Sequence, residues 1–240
     1  MNPKHCIPLL EDLKQNRSVI FTKFGDGEHL ACTQSQGRNV DNDSYHSELG
    51  QRTRDAFVYF TTRPYTYLGK WHHDPVFNYF ETLVPLTVSI PWVNYHWLIP
   101  EHAPDCFERH DIVQLIDFIQ KTPALKIVVT NARSIDKMCK FLCAKERVVV
   151  ANNSWSYQFE QILQELLSKI PVDEPSIINI SAGLASKALI AEASKVRPLA
   201  SFLDWGSSLD ILTRYENSRG WRFTFSDAYQ LFKPVWNLDP

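Results

Sequence analysis

The sequence predicts an α/β fold: a Rossmann-like, mostly parallel sheet with helices on both faces, filling a single domain over residues 1–240. Two observations carry this expectation. From residue 111 onward, short β-branched runs alternate with amphipathic segments, and the runs are apolar on both sides, as strands covered on both faces must be. The chain has 240 residues, 44% hydrophobic and 22% charged, which suits a globular protein with one large core.

In chain order, residues 6–15 read as a short helix leading into the first strand, where Val19, Ile20, Phe21 and Thr22 fit a pleated, covered surface. That strand breaks into Gly25-Asp26-Gly27-Glu28, where glycine lets the backbone turn tightly and approach a ligand closely. A helix is expected from Glu28 to residue 33. Residues 37–44 form a polar connection ending in Asp43 and Ser44, both N-cap candidates for a helix over 45–59. Leu49, Thr53, Ala56, Phe57 and Phe60 line that helix's apolar face. It stops before Pro64, and residues 65–69 form the second strand.

Residues 70–111 are the least regular. They hold Trp71-His72-His73-Asp74, a helical stretch around 77–83, a strand at 86–90, and aromatic, His- and Pro-rich runs around His96, Glu101 and His102. Loops of this length in a compact domain carry function more often than filler, so the region reads as a lid.

Beyond it the chain is periodic. Helices over 111–120, 134–143, 156–170 and 185–196 alternate with strands over 126–130, 147–151, 176–180 and 199–203; Phe159, Ile162, Leu163, Leu166 and Leu167 mark one face of the third helix. In such sheets ligands bind beyond the carboxyl ends of the strands. The residues standing there are Asp26, Glu28, Asn131, Asn152, Asn153, Ser181, Gly183, Asp204 and Ser207, so separate loops converge on one crevice. The three asparagines equally suit left-handed turns or caps, and Gly183 before a helix can let N–H groups meet a phosphate.

Composition excludes several classes. A net charge of −2 without a basic stripe gives no electrostatic case for nucleic acid. Cys6, Cys32, Cys106, Cys139 and Cys143 are odd in number and irregularly spaced, which fits reduced, mostly buried thiols rather than a disulfide framework or a zinc site. No apolar run reaches transmembrane length and no signal-peptide pattern follows Met1, so a cytoplasmic protein is expected. Trp71, Trp92, Trp97, Trp155, Trp205, Trp221 and Trp236 either stack on sugar or base rings or anchor loops on the core. The aromatic stretch 221–236 packs on the domain or on a second copy, as a homodimer. Read as an extended segment, Asp26 and Glu28 point to one side, where two carboxylates suit Mn²⁺ or Mg²⁺ on a diphosphate. A plain Gly-Asp turn fits the same residues.

The run Lys23-Phe24-Gly25-Asp26-Gly27-Glu28 after the first strand resembles the glycosyltransferases of the GT-D fold, Rossmann-like proteins with a D-x-E motif in an R-F-G-D-G-E context. Segments 39–49, 127–131, 148–153, 177–183 and 203–210 are similar to later elements of that family, in the same order. Lys23 replaces the usual arginine, keeping the charge but losing the bidentate fork. Residues 71–111 have no counterpart. The resemblance implies a metal-dependent glycosyltransferase that moves a sugar from a nucleotide diphosphate sugar, expected to be a UDP-sugar, to a hydroxyl of a glycan or glycoconjugate.

On that resemblance Asp26 and Glu28 hold Mn²⁺ or Mg²⁺, assisted by Lys23, with ribose or a metal-bound water as an alternative partner for Glu28. Gly25, Gly27, Asn39, Asn131, Asn152, Asn153, Gly183, Asp204 and Ser207 become donor contacts. Outside the resemblance, region 70–111 reads as a lid or an acceptor-facing insertion, with His73 and Asp74 as the catalytic candidates among His72, His73, Asp74, His96, Glu101 and His102. Two other classes stay open: an S-adenosylmethionine methyltransferase or related cofactor-using enzyme, and a non-catalytic binding protein on the same fold.

Overall fold

The computed structural model describes residues 7–39, 42–70, 76–94, 107–152 and 155–210. Helix α1 (Ile7–Lys14) leads into strand β1 (Ile20–Lys23), and helix α2 (Asp26–Thr33) follows. Strands β2 (Gln36–Arg38) and β3 (Ser44–His46) then pair antiparallel before helix α3 (Ser47–Thr62). Strand β4 (Thr66–Lys70), helix α4 (Val76–Glu81), strand β5 (Trp92–Asn94) and helix α5 (Phe107–Lys121) come next. The last part alternates strictly: β6 (Leu125–Asn131), α6 (Ile135–Leu142), β7 (Glu146–Val150), α7 (Phe159–Lys169), β8 (Ser176–Ser181), α8 (Ser186–Val196) and β9 (Ala200–Asp204).

Among the described residues, seven strands form one sheet in the order β5-β4-β1-β9-β8-β6-β7, and every pairing in it is parallel. The chain runs outward from β1 through β4 to β5, crosses to β6 and β7, and returns inward through β8 to β9 beside β1. Parallel strands buried on both faces split their side chains by the two-residue period. Ile20, Ile127, Val129, Ile178, Ile180 and Phe202 join one core with α3, α7 and α8. Val19, Phe21, Val128, Ile177 and Leu203 join the other with α1, α5 and α6.

Several boundaries differ from the sequence expectation. Residues 86–90 are not a strand: the Val88 N–H donates to the Pro85 carbonyl at 2.9 Å, closing a turn that leaves Leu86 wholly exposed. Pairing with β4 begins one residue after Pro91, which has no N–H to give. The connection 37–44 contains the β2–β3 pair, and α3 is capped by His46, whose Nδ1 accepts the Leu49 N–H at 3.4 Å, instead of by Asp43 or Ser44. A 3-10 turn, Trp155–Gln158, precedes α7.

Among the cysteines, Cys32 is buried, Cys139 half-buried and Cys143 exposed, so the expectation of burial holds for the first alone; Cys6 and Cys106 lie outside the described residues. Burial pushes the Cys32 thiol up to about 12, which makes it inert.

The entry to the crevice rests on an aromatic cluster. Phe24, directly after β1, is 1% exposed and meets Phe57 edge-on at 5.1 Å and Phe80 at 4.9 Å between ring centres. Such contacts add to the area term of a buried ring. Phe24→Ala is expected to cost about 3–5 kcal/mol in urea unfolding; a loss under about 1 kcal/mol would show that the cluster does not hold this corner.

Candidate functional site

The sheet order decides which strand ends meet. Because β9 lies between β1 and β8, the loops after these three strands open side by side although residues 25 and 205 are far apart in sequence. Asp26, Glu28, Gly183, Asp204 and Ser207 are therefore gathered at one end of the sheet. Asn131 and Asn152 stand at the same carboxyl end but farther along it. They follow β6 and β7, three and four strands from β1, or roughly 14 and 19 Å at about 4.8 Å per strand. Asn131 Oδ1 accepts the Arg133 N–H at 3.0 Å, shaping its own turn, and Asn152 is exposed. His73, Asp74 and Asn153, with His72, His96, Glu101, His102 and residues 221–236, lie outside the described residues.

Within Gly25-Asp26-Gly27-Glu28 only Gly25 is extended, and Asp26 to Glu28 are helical. Gly25 is the N-cap of α2, its carbonyl accepts the His29 N–H at 3.0 Å, and Asp26 opens the first turn. Residues two apart on a helix face away from each other. Asp26 is accordingly exposed and Glu28 buried. Glu28 Oε2 accepts the Gly25 N–H at 2.9 Å, the reach-back half of a capping box, and both acids sit where the helix dipole favours negative charge.

The other oxygen of Glu28 meets a residue that the sequence reading missed. Lys187, on the first turn of α8, places Nζ 2.9 Å from Glu28 Oε1 and 2.7 Å from Asp204 Oδ2, and donates to Ser186 Oγ at 3.2 Å. Its side chain is 2% exposed and that of Asp204 1%. Asp204 also accepts from Thr22 Oγ1 at 3.1 Å and from the Gly206 N–H at 3.1 Å. Burial pulls the Lys187 ammonium down, but Asp204 and then Glu28 outweigh it, so it is held above the ordinary lysine range. A signal existed in the sequence. Lys187 shares a helical face with Ile190, Ala191 and Ser194, all buried, and a charge on such a face demands partners.

The remaining residues pack around this group. A side chain at Gly27 would lie 2.8 Å from Leu184 Cδ2 and 3.0 Å from Asn39 Nδ2, so Asn39 stands directly over the start of α2. Asn39 is held by the Asp43 N–H, which donates to its Oδ1 at 2.8 Å. Gly183 has φ +67°, with Asp43 Oδ2 2.3 Å from where a Cβ would be. Gly206 has φ +53°, and the same construction falls 2.2 Å from Lys23 Cε and 2.6 Å from its Nζ. Lys23 therefore lies across the β9 turn, and Ser207 follows in that turn, half-buried. The two described loop tryptophans are anchors: Trp205 Nε1 donates to Asn179 Oδ1 at 2.9 Å and Trp155 Nε1 to the Ala182 carbonyl at 2.6 Å.

As a seat for a divalent cation the residues fit through Asp26. No three His, Cys, Asp or Glu side chains gather as a ready-made metal site among the described residues. Mg²⁺ and Mn²⁺ commonly use one or two carboxylates and take their other ligands from phosphate and water. Asp26 offers an exposed carboxylate, whereas both oxygens of Glu28 are engaged.

Two outcomes are expected for stability. Gly206→Ala forces a left-handed non-glycine residue against Lys23 and is expected to cost about 1–2 kcal/mol in urea unfolding; a neutral substitution would refute the crowding. Lys187→Met strands two buried carboxylates, for about 3–5 kcal/mol. Since the folded value of Lys187 is raised, its contribution is complete below the unfolded lysine value near ~10.4 and is lost as pH climbs through the folded value. The gap between wild type and Lys187→Met, followed by unfolding across pH, should be constant at neutral pH and narrow only in strong alkali.

No family model matches the sequence, and no curated protein matches it. Solved structures do. A glycosyltransferase from Streptococcus sanguinis, described as domain of unknown function 1792, superposes with TM-score 0.61 at 16% identity, covering 86% of this chain and 81% of that one. A second structure of a domain of unknown function 1792, described as having a distinct glycosyltransferase fold, gives TM-score 0.64 at 17% identity, over 86% and 78%. The chain thus has the Rossmann-like fold of these glycosyltransferase structures, as the resemblance to GT-D proteins implied.

Proposed function

We propose that this chain is a glycosyltransferase that moves a sugar from a nucleotide diphosphate sugar, a UDP-sugar in the first instance, to a hydroxyl of a glycan or glycoconjugate. The observation that carries the reading is the convergence of Lys23, exposed Asp26, Gly183 and the Asp204–Ser207 turn at the carboxyl ends of β1, β8 and β9, on a fold shared with glycosyltransferase structures. In open α/β sheets this is where nucleotides bind.

In this reading Asp26 would hold Mn²⁺ or Mg²⁺, which when bound stabilises the negative charge of the departing diphosphate. Lys23 supplies a second positive charge beside the β9 turn, aimed at the same phosphates. The acceptor oxygen bonds to the anomeric carbon as the bond from that carbon to the diphosphate breaks. The hydroxyl proton passes to a base, for which the sequence offers His73 and Asp74. Trp155 and Trp205 fix the loops that wall the cleft, so the donor meets a preformed surface. No helix among the described residues is long and apolar enough to cross a membrane, and the reading places the reaction in the cytoplasm.

The test is turnover of a panel of nucleotide sugars with Mn²⁺ or Mg²⁺, on wild type beside folded Asp26→Ala. One donor should be consumed, and the substitution should lower kcat/KM by about a hundredfold or more. If no donor reacts and none raises the melting temperature, the reading fails. A shift with S-adenosylmethionine alone would instead indicate a methyltransferase, and no shift with any ligand a binding protein.

A further inference from the structure

We propose that Glu28 is a positioning residue bonded to the fixed ammonium of Lys187, and that Asp26 alone of the Asp26–Glu28 pair meets the cation on the donor diphosphate. The proposal rests on the nucleotide-sugar reading for the identity of the ligand. Its own basis is the closed shell around Lys187.

An ammonium has three N–H donors, and all three are used: on Glu28 at 2.9 Å, on Asp204 at 2.7 Å and on Ser186 Oγ at 3.2 Å. Glu28 accepts on both oxygens, from Lys187 on one and from the N-cap N–H of Gly25 on the other, and it is buried. Each oxygen keeps a second lone pair, but swinging the carboxylate out to a metal at the cleft would break one of these bonds, the costly direction of hydrogen-bond loss. A divalent cation brought onto Glu28 would also stand against the ammonium in a dry environment, where like charges repel strongly.

The place between the two buried carboxylates, Glu28 and Asp204, thus already holds a cation of the chain. Lys187 ties the start of α2, the end of β9 and the first turn of α8 to one atom. Those segments carry Asp26, the Gly206 turn and the loop at Gly183. The Glu28–Lys187 bond therefore sets where Asp26 stands relative to the other walls of the cleft without touching the donor.

The experiment measures Mn²⁺ binding to the full chain by the electron paramagnetic resonance signal of free Mn²⁺, with UDP, GDP, dTDP or ADP present. Wild type should bind Mn²⁺ with at least one of them. Asp26→Asn should weaken that binding by about tenfold or more. Glu28→Gln, whose single amide oxygen keeps either the cap or the bond to Lys187, should lose less Mn²⁺ affinity than Asp26→Asn, while Glu28→Ala, which keeps neither bond, should lose more than Glu28→Gln. This conservative rescue is what an anchor predicts and a metal ligand does not.

If folded Glu28→Gln loses Mn²⁺ as Asp26→Asn does, the proposal is overturned and the metal-dependent reading stands. If wild type binds no Mn²⁺ with any nucleotide, both fall. A second measurement needs no ligand: Lys187→Met should lower Tm more in wild type than in Glu28→Gln, and equal drops would overturn the pairing.

Discussion

The buried ammonium of Lys187 is the constraint on which the rest of this cleft depends. Two carboxylates from distant segments, Glu28 and Asp204, are taken out of water at the carboxyl end of the sheet, and neither is tolerable there without a counter-charge. One lysine answers both. The group still carries one net negative charge, which the Thr22 hydroxyl and the Gly25 and Gly206 N–H groups spread over further donors. A network satisfied this fully has one good arrangement, and any loosening exposes a charge to an apolar interior. The loops that it joins are therefore held in fixed relation, although loops are ordinarily where a fold is most variable.

Topology makes that network reachable. Glu28 follows the first strand and Asp204 ends the last, and they meet because the chain builds outward on both sides of β1 before closing inward through β8 to β9. Thr22 and Asp204 lie side by side on adjacent strands, one residue past the paired Phe21 and Leu203. The parallel register thus carries an interaction across 182 positions of sequence. The same closure sets Lys23 over Gly206, where only glycine leaves room.

Much of this was legible in the sequence, and for identifiable reasons. The strands of the second half announce themselves because parallel strands covered on both faces must be continuously apolar, and Ile177 to Ile180 or Ile127 to Val129 admit little else. The rule that ligands meet strand ends picked out Gly183 and Asp204 without knowledge of strand order. It also picked out Asn131 and Asn152, which the strand order puts at the same end of the sheet but three and four strands from β1. Lys187 was missed for the opposite reason: it belongs to a helix and not to the loop after a strand, and only a count of charges on the apolar face of α8 would have exposed it. The β2–β3 pair was hidden because three-residue strands carry almost no periodic signal. The strand assigned to 86–90 failed because β-branched residues between prolines read as a strand whether or not a partner edge is there.

The motif itself divides into two halves with different physics. Phe24 is an aromatic anchor in the core, Gly25 an N-cap, and Glu28 the third helical residue that reaches back to the cap and across to Lys187. Those three positions are explained by folding alone, and a helix needing a tight, buried start would favour the same residues with no ligand in view. What capping does not require is Asp26, an exposed carboxylate at the first helical position. Helix dipole and capping would be served as well by many residues at position 26. What the motif carries beyond folding in Lys-Phe-Gly-Asp-Gly-Glu is therefore concentrated in its fourth residue. Phe24, Gly25 and Glu28 fix the start of α2, and with it the place at which that carboxylate stands at the carboxyl end of the sheet.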